Sequence, residues 1–533
     1  MKRRLASAVL KAVWVFVLFC LTLPSLKSQH YWIYFTDKDG VQFDPESYFA
    51  PEALERRLRT GIPLHSLSDY PVKHDYVEKV TGIADSTGFV SRWFNAVAVV
   101  ASSDQIEMIA ALPFVSKVES SHADLPRVYA SAPYDTTMIF SNMIVEDQVR
   151  TLGLTHWRNA GIDGNGVRIA VFDGGFPTYR DNPVFRHLNE QNRILHTWDF
   201  TRNREDVNRG IAHGTMVLSC IGGMVGGKQL GLATGASYML AITEVRTEPF
   251  REEQNWLAAA EWADKHGADI INSSLGYTYH RYFNHQMDGK STLVTRAANM
   301  AAAKGILVVN AAGNDGSDKW KIVGAPADGD SVLSVGGVDP FLLTHTSFSS
   351  FGPTFDRRMK PNVVAFGHVI AAGKKGLTNT QGTSFASPLV AGFAACAWQT
   401  DRSVTNMELF RKIEQSGHLY PYFDYAHGFG IPRATGFLDS TSAIGIEPTF
   451  TLEINFDDSF SFSTDEVGID EDGGILDQYM YLHIRDAGGV LSYYAVYLID
   501  DVTARFSDLN MKLSPGETAC VHYRGHYECI SLE

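Results

Sequence analysis

Apolar and polar positions divide the chain into three regions of different period. Over the first, short alternating runs at 31–36, 94–100 and 115–119 predict strands, and 3.6-residue periodicity at 51–59, 72–80 and 104–112 predicts helices. These elements make a compact α+β unit. The stretch 125–142, with Pro126, Pro133 and several Ser and Thr, breaks the pattern and reads as an exposed linker. From there to about residue 446, continuous apolar runs at 167–172, 270–272, 306–310 and 332–335 alternate with Ala-rich helical patterns at 253–266 and 293–304. Apolar strands separated by helices predict an α/β fold, a parallel sheet buried on both faces. Such sheets place their chemistry at the carboxyl ends of the strands, where Asp173, Asn272 and Asn310 fall. After Gly445 short alternating strands, among them 450–456 and 493–499, are joined by acidic and glycine turns such as 470–474, which predicts a small C-terminal β-domain.

Composition narrows the picture. A chain of 533 residues, 45% hydrophobic, fills several cores. Its net charge of -14 is spread without any basic block, which argues against nucleic acid as a partner. At the N-terminus Lys2, Arg3 and Arg4 precede an apolar run at 12–23, then Pro24 and a polar stretch to Ser28. The run is short of the roughly 20 residues that span a bilayer, so residues 1–28 read as a cleaved signal peptide, with a retained anchor as the alternative. Export would place the protein outside the cell, in a periplasm or at the cell surface, with no stable membrane span. The remaining boundaries are 29–122 for the α+β unit, 123–146 for the linker, 147–446 for the sheet domain and 447–533 for the β-domain. Cys20 leaves with the signal. Cys220 and Cys396 lie among small apolar residues and read as core filler. Cys520 and Cys529 flank a short segment that a disulfide would close as a hairpin, and two free thiols fit as well.

Three short segments carry candidate chemistry. In Gly382-Thr383-Ser384-Phe385-Ala386-Ser387-Pro388 a serine opens an Ala- and Gly-rich helix, where free N–H groups and the helix dipole favour an oxyanion. His213-Gly214-Thr215 opens a second apolar helix, and the missing side chain at Gly214 leaves room for a substrate and a nucleophile. The strand ending in Phe172-Asp173-Gly174-Gly175 delivers one carboxylate. Alone, each has a structural explanation: a capping serine, a satisfied histidine, a turn aspartate. Together, in the order Asp, His, Ser, they make a nucleophile, a general base and the carboxylate that orients it.

On these residues the chain resembles the subtilisin-like serine protease family over about 147–440, together with Gln148, the stretch 157–175 and Gly428-Phe429-Gly430. The resemblance implies a subtilisin-like parallel sheet with helices on both faces and a serine endopeptidase using Ser384, His213 and Asp173. It also implies that Asn314, in Ala311-Ala312-Gly313-Asn314, donates its amide to the oxyanion beside the Ser384 N–H. Ser273, Ser274, Leu275 and Gly276 match the family's edge strand for extended peptides, and Ala311, Ala312 and Gly313 would line the S1 pocket with the neighbourhood of Gly324. Those stretches hold no acidic residue, so large apolar P1 side chains are expected over Lys or Arg. Residues 29–122 resemble the propeptide that helps fold and then inhibits such enzymes, with autoprocessing between Ser120 and Gln148; a permanent N-terminal domain is the alternative. The partners implied are protein or peptide substrates and the chain's own propeptide. No cofactor is needed for this chemistry. Calcium is common in the family, but no full ligand spacing is visible, and the metal content stays open.

Gly174 departs from the family, which more usually has Thr or Ser there. Cys220 falls about two turns after His213 and either sits beneath the imidazole or fills the core. Activity is expected to fall as His213 protonates below about pH 6 to 7. An acid peptidase of the sedolisin type would have Glu in place of His213 and Asp in place of Asn314. A catalytically inactive binding or structural module on the same fold would lack a member of the triad, and none is missing.

Overall fold

The computed structural model describes residues 28–120, 145–245, 251–278, 281–374, 376–438, 448–464, 478–499, 505–506 and 512–532. The signal segment before Ser28, nearly all of the linker and the acidic turn 470–474 lie outside the described residues. The chain forms two compact units, residues 1–43 with 67–124, and residues 44–66 with 125–533.

The first unit is a four-stranded antiparallel sheet in the order Ser86–Ser91, Ala96–Ala101, Gln29–Phe35, Val115–Ser120. Helices His74–Thr81 and Ser103–Ala110 contribute Val80 and Ile109 to a core with Ile33, Val97, Val99 and Phe114. The second helix starts at a capping box between Ser102 and Gln105, which satisfies two otherwise orphaned N–H groups. This is the α+β unit the periodicity predicts, with one exception: the helix Pro51–Arg59 packs in the second unit.

The second unit is built on a seven-stranded parallel sheet. Its order is Val363–Phe366, Val332–Val338, Leu307–Ala311, Ile270–Ser273, Arg168–Asp173, Ser237–Ile242, Ile194–Asp199. The four predicted strands are its centre, and three further strands complete it. Helices His213–Gly222 and Thr383–Thr400 pack on each other and on the sheet, as do Arg251–Lys265 and Leu293–Ala303. Small residues at Ala386, Ala391, Ala394 and Ala395, all buried, let the Thr383–Thr400 helix lie close. Cys220 and Cys396 are buried in this core.

Beyond the sheet, Phe460–Ser463 pairs antiparallel with Thr451–Ile454 on one side and with Arg505–Phe506 on the other. A four-stranded antiparallel sheet follows in the order Leu491–Leu498, Tyr479–Arg485, Thr518–Tyr523, His526–Ser531. Cys520 and Cys529 face each other on its last two strands and form a disulfide, which settles the alternative the spacing left open. Among the described residues, no helix is long and apolar enough to cross a membrane.

Candidate active site

Three carboxyl strand ends and two helix starts converge on the predicted residues. Asp173 ends its strand fully buried, and its two oxygens are both engaged: Oδ1 accepts from the Gly174 N–H at 2.7 Å and Oδ2 faces His213 Nδ1 at 2.8 Å. A carboxylate can only accept, so Nδ1 carries the proton and Nε2 is the basic nitrogen. His213 is the first residue of its helix, and 26% of its side chain remains exposed. Gly214 has a different role from the one the sequence suggests. A Cβ there would meet the Gly175 carbonyl at 2.5 Å and Asp173 Cβ at 2.9 Å, so its bareness seats the helix against the aspartate strand rather than opening a path for substrate. At Gly174 the neighbour is a side chain rather than backbone: a Cβ would lie 2.5 Å from the end of Ile211. A Thr or Ser there would require the Ile211 side chain to turn away.

Ser384 is the second residue of the helix Thr383–Thr400. Pro388, four residues on, has no N–H to give the Ser384 carbonyl. The Ser384 hydroxyl donates to the Ser274 carbonyl at 3.1 Å rather than to His213, while the ring of the adjacent Phe385 lies 5.3 Å from the His213 ring. In unliganded enzymes catalytic hydrogen bonds are often long or misaligned and tighten only with substrate bound. Asn314 is exposed, and its Oδ1 accepts from the Thr383 N–H at 2.9 Å and the Thr383 hydroxyl at 3.0 Å. That pairing fixes which end of the amide is free, leaving Nδ2 as the available donor.

Of the predicted substrate residues, Ser273 is corrected. It is paired on both sides, with Asn310 and Phe172, and its hydroxyl accepts from Trp256 Nε1 at 3.0 Å, so it belongs to an inner strand and not to an edge. Only Ser274, Leu275 and Gly276 run beyond the sheet. Ala311 ends its strand, the Ala312 N–H bonds to the Val335 carbonyl, and the Gly313 N–H faces the Thr383 hydroxyl at 3.3 Å. Asn272 and Asn310 support this edge from below: Asn272 accepts from the Ser387 hydroxyl, and Asn310 donates to the Leu275 carbonyl.

Three residues escaped the sequence reading. Thr383 orients Asn314, a contact across 69 residues with no local signal. Glu244 brings a carboxylate oxygen within 4.8 Å of the donor atoms of Asp173 and His213. These three form a cluster able to hold a metal ion among the described residues. Asp315 lies just outside the stretches read as S1, with Oδ2 3.5 Å from where a Gly313 Cβ would sit, and burial together with Asp318 pushes its carboxyl up to about 6.

Electrostatics modify one expectation. Burial acts to lower the His213 pKa, but the charge of Asp173, its hydrogen bond and Glu244 outweigh it and hold the imidazole above 6.5. The acid limit of activity therefore moves up from the range expected of an unperturbed histidine. Cys220 behaves as core filler, with burial pushing its thiol up to about 12.

A serine at a helix start, a histidine held by a buried carboxylate and an amide beside them on a parallel sheet are the parts a serine-hydrolase site is made of. The chain belongs to the subtilase family: the family's model matches residues 164–430, half of the chain. A second model, for the Peptidase S8 propeptide domain of Bacteroidota, matches residues 30–133. Over 356 residues the chain is 29% identical to subtilisin NAT of Bacillus subtilis subsp. natto and to subtilisin E of Bacillus subtilis strain 168, covering 65% of this chain and 82% of each relative. Among solved structures, a cold adapted subtilisin-like serine proteinase aligns at 25% identity and a TM-score of 0.40, covering 50% of this chain and 86% of that one. The chain is accordingly a subtilisin-family serine protease made with a propeptide domain.

Proposed function

We propose that the protein is an exported serine endopeptidase in which Ser384 attacks the peptide carbonyl, His213 takes its proton and Asp173 stabilises the imidazolium. The observation that carries this reading is the 2.8 Å contact from His213 Nδ1 to Asp173, which leaves Nε2 as the base. Substrate binding turns the Ser384 hydroxyl from the Ser274 carbonyl to Nε2. As the carbonyl carbon becomes tetrahedral, the Asn314 amide and the Ser384 N–H receive the oxyanion. The imidazolium then protonates the leaving amine, and water, activated by the same histidine, releases the acyl group from Ser384.

Ser274, Leu275 and Gly276 are the backbone to which an extended substrate adds by main-chain hydrogen bonds, giving broad sequence tolerance. Leu275 and Ala311 to Gly313 favour large apolar P1 side chains. Asp315 is the residue that would blunt this preference, and hydrolysis of matched Phe and Lys P1 substrates above pH 6 measures by how much. The charged and apolar segments before Ser28 support export, and the match to a propeptide domain supports an inhibitory prosegment cleaved between Ser120 and Gln148. The chemistry draws on no cofactor, and a chelator's effect on Tm reports any structural calcium.

The test compares wild type with Ser384→Ala for prosegment cleavage and for casein hydrolysis near pH 8. Both activities in the wild type and neither in the variant support the proposal. A folded, prosegment-free wild type that leaves casein intact would make the chain a binding module on a protease fold.

A further inference from the structure

The polypeptide leaves the four-stranded unit after Phe43, returns at Leu67, and between them builds a helical segment into the catalytic unit. In the helix Pro51–Arg59 two successive arginines, Arg56 and Arg57, are fully buried. Both pair with Asp264, Arg57 at 2.6 Å, and so occupy the two oxygens of that carboxylate. Arg56 also gives its Nε–H to the Lys304 carbonyl and an Nη1–H to the Ala268 carbonyl. Arg59 reaches Asp269 at 3.0 Å, and the Ala50 N–H bonds to the Lys265 carbonyl at 2.9 Å. The receiving surface is shaped for this helix. A Cβ on Gly267 would lie 2.7 Å from Glu52 Cβ and 2.8 Å from the Ala53 nitrogen, and one on Gly305 would lie 2.9 Å from Thr60 Oγ1.

These contacts lie at the far end of the sheet from the chemistry. Asp269 precedes the strand Ile270–Ser273, and Gly305 precedes Leu307–Ala311, whereas Asp173, Ser274 and Ala311 stand at carboxyl strand ends. Freeing the catalytic residues therefore does not require this helix to move. Lifting it out would break both ion pairs of Asp264, the Arg59–Asp269 pair and the carbonyl hydrogen bonds of Arg56 at once, and empty the close-packed seats at Gly267 and Gly305.

We propose that residues 44–66 are a permanent component of the mature protease, retained noncovalently by the Arg56/Arg57–Asp264 cluster after the rest of the prosegment has been cut away. The proposal rests on reading the N-terminal region as a prosegment, and its test is independent of autoprocessing. The full chain carrying Ser384→Ala is given recognition sites for an external site-specific protease after Phe43, after Ser66 and within 121–144. It is cut at all three, then passed over gel filtration at micromolar concentration in 1 M salt, with mass spectrometry of each fraction. The 44–66 peptide is expected to elute with the catalytic chain at one copy each. In the Arg56→Ala/Arg57→Ala chain its dissociation constant should rise at least about a hundredfold, releasing it to the small-molecule fraction. The single Asp264→Asn variant, which keeps the side chain's shape, should weaken it in the same direction. A peptide lost from the parent protein, or one retained equally by the double variant, overturns the proposal. Failure of the casein test leaves this result untouched, because no step here uses the chain's own activity.

Discussion

Two histidines in this protein meet an aspartate through Nδ1 at nearly the same distance, yet the proposed mechanism uses one pair for catalysis and leaves the other to structure. His213 meets Asp173 at 2.8 Å, and His427 meets Asp424 at 3.0 Å. The difference lies in the second nitrogen and in what surrounds the ring. His427 is 1% exposed, and its Nε2 accepts the His345 N–H at 3.1 Å, so both nitrogens are spent. Asp424 is likewise saturated, accepting from the Ala426 and His427 N–H groups and from the Tyr422 hydroxyl. His213 keeps a quarter of its side chain exposed, and among the described residues no hydrogen bond occupies its Nε2. A histidine–aspartate pair becomes a general base only where the second nitrogen is left open beside a nucleophile.

The largest expected effect separates the pairs. In subtilisin itself, loss of the serine or histidine costs on the order of a millionfold in kcat, and the same order is expected for His213→Ala with normal folding. His427→Ala should leave kcat/KM per folded molecule within a few fold. It should instead cost about 1–3 kcal/mol in denaturant unfolding, because it removes one of the donors to Asp424 and leaves the buried His345 N–H without its acceptor. A large catalytic loss in His427→Ala would break the comparison. Next in size is Asn314→Ala, expected to lower kcat by about a hundred- to a thousandfold, the range known for the subtilisin amide, with little change in KM. Thr383→Val should reproduce part of that loss by releasing the Asn314 amide, which kcat and KM measured together would show.

The two regions also answer pH differently. His213 is held above 6.5, so kcat/KM should rise along a limb centred above pH 6.5, and Glu244→Gln should move that limb down. A limb at or below 6.5 in the wild type would contradict the account. Around His427 the effect reverses. Burial lowers His345 to about 3, helped by His427, and His522 to about 3, helped by Arg433. His483 falls to about 4 through burial, with Asp424 opposing and Arg485 assisting. These rings are neutral when folded and take up protons on unfolding. The stability they permit is full above pH 6.5 and lost as pH falls from there toward 4. Tm should therefore decline over that window. Among the described residues neither nitrogen of His483 has a hydrogen-bond partner, so His483→Leu should leave Tm at pH 7 nearly unchanged and make the acid decline shallower. This is the smallest effect of the set, and an unchanged acid slope would remove His483 from the explanation.

What was legible in the sequence follows from how local each signal is. Buried parallel strands announce themselves as continuous apolar runs, and the catalytic motifs combine a residue type with a strand end or helix start, so Asp173, His213, Ser384 and Asn314 could be named before any coordinates. Relations across the sheet could not. Ser273 reads as an edge residue because nothing in Ser273-Ser274-Leu275-Gly276 reports which strands lie on either side. The helix Pro51–Arg59 was legible as a helix, but its arginines find their aspartate more than 200 residues away, so chain proximity assigned it to the wrong unit. Gly214 was noticed for its absent side chain, while the groups needing that space were invisible until the fold placed them.

The most direct test of the central claim is covalent labelling of the processed protein with a fluorophosphonate, followed by peptide mass spectrometry. The account predicts one adduct per molecule, on Ser384, abolished by His213→Ala and retained by His427→Ala. A folded, processed protein that takes up no label at Ser384, or labels equally well without His213, would contradict it.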